Sequence, residues 1–79
     1  MKYEYNSKFK VGDKVYYIAL ELKQIVVIPC TVDSVCFTSL GIKYFVDNIG
    51  DEVLESEIIN REDVKAIISR IEYLSEELC

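Results

Sequence analysis

The hydrophobic pattern of this chain changes its period near residue 60, and this change restricts the fold more than any other feature. Before it, residues 14–20 alternate as a β-strand does. One face of that strand would carry Val15, Tyr17 and Ala19, and the other would carry Tyr16, Ile18 and Leu20. After it, apolar residues recur at helical spacing. Because 79 residues leave room for one core, we expect a single domain over residues 1–79, with strands preceding one helix.

Further apolar segments extend the β pattern along the chain. Residues 24–37 form a long run with Pro29 near its middle. Because proline lacks a backbone donor, this run is either an edge strand or a strand that bends at Pro29. Turns at residues 38–41 and 48–51 separate it from strands at residues 42–47 and 52–54. The pattern predicts an antiparallel meander of four to five strands with short connections.

The C-terminal pattern predicts an amphipathic helix over residues 60–78. Asn60 is a suitable N-cap, and Glu62 and Asp63 would place negative charge at the positive end of the helix dipole. The apolar residues fall within an arc of roughly 120°. They are Val64, Ile67, Ile68, Ile71, Leu74 and Leu78. We expect this stripe to pack on the open end of a barrel or on an outer sheet face, and a helix shared with a second subunit is the alternative.

Composition excludes several kinds of chemistry. The chain has no histidine, which removes histidine-based acid–base and nucleophilic catalysis as well as most metal sites. Its three cysteines, Cys30, Cys36 and Cys79, contain no CxxC pair and are odd in number. We therefore expect free thiols in a reducing compartment, no disulfide framework, no metal, no cofactor and no enzymatic activity.

Charge is divided unevenly along the chain. Residues 1–47 carry six lysines against five carboxylates, whereas residues 48–79 carry three basic residues against nine carboxylates. This balance disfavours nucleic acid as a partner, since proteins that bind nucleic acid concentrate Lys and Arg on one face. The acidic C-terminal part would instead steer the chain toward a basic protein surface.

Apolar runs in this sequence are short. The longest uninterrupted run, residues 25–30, is far below the roughly 20 residues of a membrane span. Residues 1–14 alternate charged and aromatic side chains and lack the apolar core of a signal peptide. We therefore expect a cytoplasmic protein without a membrane segment.

Three segments resemble the small SH3-like barrels, including the KOW-type and Tudor-type modules. They are the opening FKVGDKVYYI at residues 9–18, TVDSV at residues 31–35 and YFV at residues 44–46. The resemblance covers about residues 9–58 and implies a small antiparallel barrel, to which the helix at residues 60–78 is appended. Similar short chains occur in bacteria and their phages, which implies a phage or mobile-element protein that inhibits a host protein. SH3-like barrels also bind RNA or peptides, or act as scaffolds, so the resemblance indicates architecture more than activity.

An excess of apolar side chains provides the candidate binding surface. Tyr16, Ile18 and Phe45 would face outward from the strands, and one helix stripe is too narrow to cover all of them. On the helix, Tyr73 lies on the polar face with Glu72 and Glu76 near the C-terminus. These six residues are our interface candidates, for another protein with a basic surface or for a second copy in a homodimer. A stacking platform made of Tyr16, Phe37 and Phe45 is an alternative use of the aromatic residues, and filling of the core is another.

Two basic residues define a different kind of candidate site. Arg61 and Lys65 are one turn apart near the predicted helix N-terminus, where a phosphate or nucleotide could be held. This pair supports the alternative of an oligomeric protein that binds a small ligand or nucleotide. A solvated helix face is the ordinary explanation of the same two residues. An SH3-like nucleic-acid-binding module is the remaining alternative.

Overall fold

The strands precede the helix along the sequence, as the periodicity predicts. The structure is a computed structural model and describes residues 7–78. Its strands are β1 (Lys14–Glu21), β2 (Gln24–Thr38), β3 (Gly41–Val46), β4 (Glu52–Leu54) and β5 (Ile58–Asn60). A short 3₁₀ helix (Glu55–Glu57) joins β4 to β5, and α1 (Val64–Leu78) ends the described chain. All neighbouring strands are antiparallel, in the order β4-β3-β2-β1-β5.

Strand β2 is long because it pairs with two different partners. Its residues 24–31 pair with β1, and its residues 32–38 pair with β3. The register shifts between Val32 and Ser34, so Asp33 is the extra residue of a β-bulge at the point of exchange. Pro29 lies opposite Tyr16, in the half of β2 that β3 does not reach. Strand β2 is therefore not an edge strand, because it lies between β3 and β1 in the sheet, but its half that contains Pro29 pairs with β1 alone among the described strands.

The inner face of the sheet holds the main core. Every strand contributes to one buried cluster, and Phe9 packs against it from the segment before β1. The strand members are Val15, Tyr17, Ala19, Cys30, Val32, Tyr44, Val46, Val53 and Ile58. The predicted inward face of β1 is therefore confirmed. All five strands therefore contribute to one core on this face of the sheet.

The helix packs on the opposite face of the sheet. Ile18, Ile59 and Leu74 form a second buried cluster, with Ile67 and Ile71 half-buried beside it. The prediction that α1 covers an outer sheet face is confirmed. Ile18 was expected to remain at the surface, and that expectation is wrong, because α1 lies over it and leaves its side chain 0% exposed.

The start of α1 differs from the sequence-based prediction. Asn60 is the last residue of β5, where it pairs with Val15, and its Oδ1 accepts a hydrogen bond from the N–H of Glu62 at 2.8 Å. Asp63 caps the helix instead, since its Oδ1 accepts a hydrogen bond from the N–H of Ala66 at 3.1 Å. The helix therefore begins at Val64 and not at residue 60. No helix within residues 7–78 has the length and apolar character needed to cross a membrane.

Candidate docking surfaces

The six interface candidates from the sequence do not form one surface. Tyr16 is half-buried beneath the Arg61 guanidinium, which lies 5.5 Å from the centre of its ring, and Ile18 is covered by α1. Phe45 lies alone among them on the outer face of β3. Tyr73 is exposed on α1 with the Arg70 guanidinium 5.9 Å from its ring centre. Glu72 and Glu76 are exposed on the same helix.

The aromatic side chains proposed for stacking also lie on different faces. Phe45 points outward because its neighbours Tyr44 and Val46 are buried in the core. Phe37 pairs with Ile42 and shares the face of β2 that carries Val35, which belongs to the inner core. The three rings of Tyr16, Phe37 and Phe45 therefore do not form a common platform.

An exposed apolar face of the sheet lies on β3 and β4. Phe45 is 44% exposed and Leu54 is 49% exposed, and both point away from the core. The registers Phe45↔Glu52 and Lys43↔Leu54 make the two side chains diagonal neighbours on this face. We call Phe45 and Leu54 the β3–β4 patch. The cluster beneath α1 draws on β1, β2 and β5, so the helix leaves this patch uncovered.

Charges around the β3–β4 patch are predominantly acidic. Lys43 Nζ and Glu52 Oε1 form a salt bridge at 2.9 Å, which neutralises the lysine and raises its pKa. Asp51 follows in the adjoining turn and Asp33 lies at the β2 bulge, next to the residue that pairs with Phe45. Both aspartates are exposed. The patch thus combines apolar anchors with an excess of negative charge.

Leu54 was missed by the sequence analysis. Strand β4 has only three residues, too few for alternation to assign its faces. The available signal was the apolar pair Val53 and Leu54, of which only one member can face the core of a strand. Val53 takes that inner position, so Leu54 is left outside.

The two hairpin tips also carry exposed leucines. Leu22 is 97% exposed in the turn between β1 and β2. Leu22 and Lys23 both have positive φ angles, of 52° and 63°, a conformation that side chains other than glycine, asparagine and aspartate rarely adopt. Leu40 is exposed in the turn between β2 and β3. The strain at Leu22 and Lys23 is local to the first tip.

The two anion-binding candidates, Arg61 and Lys65, have different surroundings. Arg61 donates from Nε to the carbonyl of Val15 at 3.0 Å and from Nη2 to the carbonyl of Cys30 at 2.9 Å. Its main contacts therefore connect β1 and β2 to the loop after β5. Lys65 is exposed on the first turn of α1, where the carboxylate of Asp63 already accepts a backbone N–H.

A shallow cleft of about 360 Å³ lies beside Arg61. Its lining includes two cationic residues, Lys14 and Arg61, and two acidic residues, Asp13 and Glu62. Gly12 and Asn60 complete the lining, and Lys65 lies outside it. An anion in this cleft would meet as many carboxylates as cations, so the electrostatics favour no anionic ligand.

Buried titratable groups serve the core of the fold. Burial, followed by the hydrogen bond to Glu55, raises the pKa of Tyr44 to about 12. Burial likewise raises the pKa of the Cys30 thiol, which donates a hydrogen bond to the carbonyl of Ile28 at 3.2 Å. A raised pKa leaves Cys30 protonated and weakly nucleophilic near neutral pH. Cys36 is partly exposed, and Cys79 lies outside the described residues.

Within residues 7–78, no group of three His, Cys, Asp or Glu side chains is arranged to hold a metal ion. Comparison of the chain with protein-family models, with curated proteins and with solved structures gives no match.

Proposed function

We propose that this chain is a non-enzymatic protein-binding module with an SH3-like fold, and that it docks on a basic partner protein through the β3–β4 patch. The observation that carries the proposal is the exposure of Phe45 and Leu54 on a sheet face that α1 leaves uncovered. A few anchors near the centre of an interface supply most of its binding energy, and aromatic residues are enriched there.

The course of the chain supports the SH3-like fold. In a flat sheet of five strands the two edges would lie about 19 Å apart, whereas a three-residue 3₁₀ helix advances only about 6 Å. That short helix joins β4 to β5, which are the two edge strands. So short a connection between the two edge strands supports a curved sheet of the SH3-like kind over a flat one.

The opening motif supports the same fold. Gly12 has a φ of 94°, which a residue with a side chain adopts only under strain, and its N–H donates to the carbonyl of Val32 at 2.8 Å. Asp13 Oδ2 accepts a hydrogen bond from the N–H of Lys10 at 2.9 Å. The Gly-Asp turn thus sets the direction in which the chain enters β1, and it connects this entry to β2 at Val32. A turn of this kind before the first strand is what the resemblance to SH3-like barrels implies.

Electrostatics favour a basic partner. The net charge of the chain is −5, and Asp33 and Asp51 lie beside the anchors while Lys43 is already paired with Glu52. Carboxylates at the rim of a patch accelerate encounter with a positive surface and repel an acidic one. Glu72 and Glu76 add to this negative field from α1.

The proposed consequence of docking is occlusion of the partner's surface. The chain supplies no histidine and the buried Cys30 thiol has a raised pKa, so the proposal assigns it no reacting group. Occlusion without chemistry is the mode of an inhibitor, and we extend the proposal to that role.

A photocrosslinking experiment in cells tests the proposal. Benzoylphenylalanine placed at Phe45 should crosslink to a partner with a basic surface, whereas the same probe at Leu22 should not capture that partner. Leu22 is the matched control because it is fully exposed but lies at the tip of the β1–β2 hairpin, away from the patch. Absence of any specific crosslink at Phe45 overturns the proposal.

Affinity measurements with the purified partner complete the test. Phe45→Asp should weaken binding at least about tenfold, and Leu22→Asp should leave the dissociation constant unchanged. Binding should also weaken as ionic strength rises, because screening removes the steering by Asp33 and Asp51. A partner that binds Phe45→Asp as tightly as the wild type shows that the patch is not the docking surface.

A further inference from the structure

We propose that two copies of this chain associate through the exposed flank of α1 as an antiparallel, two-fold symmetric dimer. This flank consists of Val64, Ile68, Ile71, Ser75 and Leu78, which we call the α1 stripe. Its members follow one another at intervals of four, three, four and three residues. An average spacing of about 3.5 residues is the repeat with which two α-helices pack side by side. The proposal concerns a different surface from the β3–β4 patch.

The α1 stripe is distinct from the helix face that packs on the sheet. Leu74 is buried against the sheet, and only Ile71 belongs to both faces. Along the stripe, Val64 is 62% exposed, Ile68 is 51% exposed and Leu78 is 44% exposed. Ser75 donates a hydrogen bond to the carbonyl of Ile71 at 2.8 Å, so its hydroxyl is satisfied within the helix. The helix thus has two apolar faces, of which the residues described, 7–78, cover one.

Hydrogen bonding indicates the direction in which the α1 stripe faces. On the other flank of the helix, Arg70 Nε donates to the carbonyl of Ile18 at 3.0 Å. The β1–β2 turn is closed by the pair Glu21↔Gln24, so the carbonyl of Ile18 points away from β2 and toward the β5 side. The stripe therefore faces the β2 side. Val27, which pairs with Ile18, is 46% exposed on that same sheet face and extends the apolar surface.

The charges beside the α1 stripe identify the occupant as a second copy. Lys65 and Glu72 occupy the same flanking position one heptad apart. In an antiparallel pair with Ile68 opposite the partner's Ile71, Lys65 lies beside the partner's Glu72. The two-fold axis repeats this contact, because Lys65 of each copy meets Glu72 of the other. The dimer therefore has two opposite-charge pairs.

Other alignments lose these attractions. Sliding the antiparallel pair by one heptad toward the helix C-termini brings the two Glu72 side chains together. A parallel pair in register sets Lys65 at the height of the partner's Lys65 and forfeits both contacts. Like charges at flanking positions disfavour an alignment, so the charge pattern selects the antiparallel one.

The size of the surface sets the expected strength of the dimer. The helix has 15 residues and a length of about 22 Å, which allows two heptads of contact. Two heptads of contact bury less surface than the 1,200–2,000 Å² typical of stable specific interfaces. We therefore expect the dimer to dissociate on dilution, with a dissociation constant in the micromolar range or above.

The molar mass at different concentrations tests the proposal. In the presence of a reductant, light scattering from about 1 µM to about 1 mM should show the mass rising from 9.1 kDa toward twice that value. Ile68→Asp should weaken association at least about tenfold. Ser69→Asp is the matched control, because it adds the same charge at the adjoining exposed position outside the stripe, and it should associate as the wild type does.

A charge exchange tests the orientation. Lys65→Glu and Glu72→Lys should each weaken the dimer, and the double variant should restore it, while circular dichroism confirms that α1 is intact. A mass that stays at 9.1 kDa throughout overturns the proposal, as does an Ile68→Asp variant that associates like the wild type. Failure of the double variant to regain the wild-type affinity overturns the antiparallel arrangement. Loss of association on Phe45→Asp, with Ile68→Asp unaffected, would place the contact on the β3–β4 patch instead.

Discussion

The hydroxyl group of Tyr44 donates a hydrogen bond to Glu55 Oε2 at 2.5 Å while it accepts another from the N–H of Phe9 at 3.3 Å. The same carboxylate oxygen accepts the N–H of Lys8 at 3.1 Å. Tyr44 and Glu55 therefore connect the segment before β1 with β3 and with the 3₁₀ helix. Burial and the neighbouring carboxylate both favour the neutral phenol, which accounts for the raised pKa of Tyr44.

Stability should fall in alkaline solution through this tyrosine. The pKa of Tyr44 rises from 10.0 to about 12 on folding, so the stabilisation is complete below pH 10 and is lost as the pH rises through 12. Urea denaturation at about pH 8 to pH 12 measures the slope, and tyrosinate absorbance at about 295 nm follows the ionisation directly. Tyr44→Phe should reduce both the slope and the late absorbance step, whereas Tyr73→Phe, at an exposed tyrosine, should change neither.

The β1–β2 turn should accept a stabilising replacement. Leu22 and Lys23 both hold positive φ angles, which Asn-Gly adopts with little strain. Leu22→Asn combined with Lys23→Gly should raise the free energy of unfolding by about 1 kcal/mol. The matched control is Ser39→Asn with Leu40→Gly, at a turn where the positive φ belongs to Gly41. An equal gain in both double variants, measured by urea denaturation, would show that strain at Leu22 and Lys23 is not the cause.

Cys30 should react with thiol reagents only when the protein unfolds. It is completely buried, and burial raises its pKa, so little thiolate is present at neutral pH. In a Cys36→Ser, Cys79→Ser background, the rate of reaction with Ellman's reagent should follow the unfolded fraction as urea is added. A fast reaction in the absence of urea contradicts the burial of this side chain.

Ile18 on the outer face of β1 and Ile68 on α1 should differ sharply in their contribution to the free energy of unfolding. Ile18→Ala removes a fully buried side chain between β1 and α1 and should cost about 3 kcal/mol. Ile68→Ala truncates a half-exposed side chain and should cost less than about 1 kcal/mol at concentrations where the chain is monomeric. Equal losses, measured by chemical denaturation, would contradict the position of α1 over β1.

Local sequence patterns were sufficient to predict features that are determined by the residues of a single strand. The alternation in β1 correctly divided Val15 and Tyr17 from Tyr16 and Ile18, because a strand with two covered faces still alternates between them. Pro29 has no N–H to offer a further strand, and the half of β2 that contains it pairs with β1 alone among the described strands, although β2 as a whole is not an edge strand. Both inferences depend on residues within one strand.

Features that depend on contacts between residues distant in the sequence could not be predicted from local patterns. Asn60 and Asp63 are both good N-caps, and the choice between them is made by the pairing of Asn60 with Val15, 45 positions away. The apolar arc of α1 suggested one buried stripe, yet the sheet covers Leu74 and leaves Val64 and Ile68 outside. On the candidate site, Phe45 was identified from alternation, while Leu54 was missed because its strand is too short to alternate.

The pairing of β1 with β5 has a consequence for biosynthesis. A ribosome releases β1 long before residues 58–60 emerge, so the growing chain presents one bare edge of β1 until then. The nascent hairpin of β1 and β2 also lacks the helix that shields Ile18. We therefore expect the sheet to be completed only after residues 58–60 have emerged, and chaperones that shield unpaired strands should engage the chain during that interval.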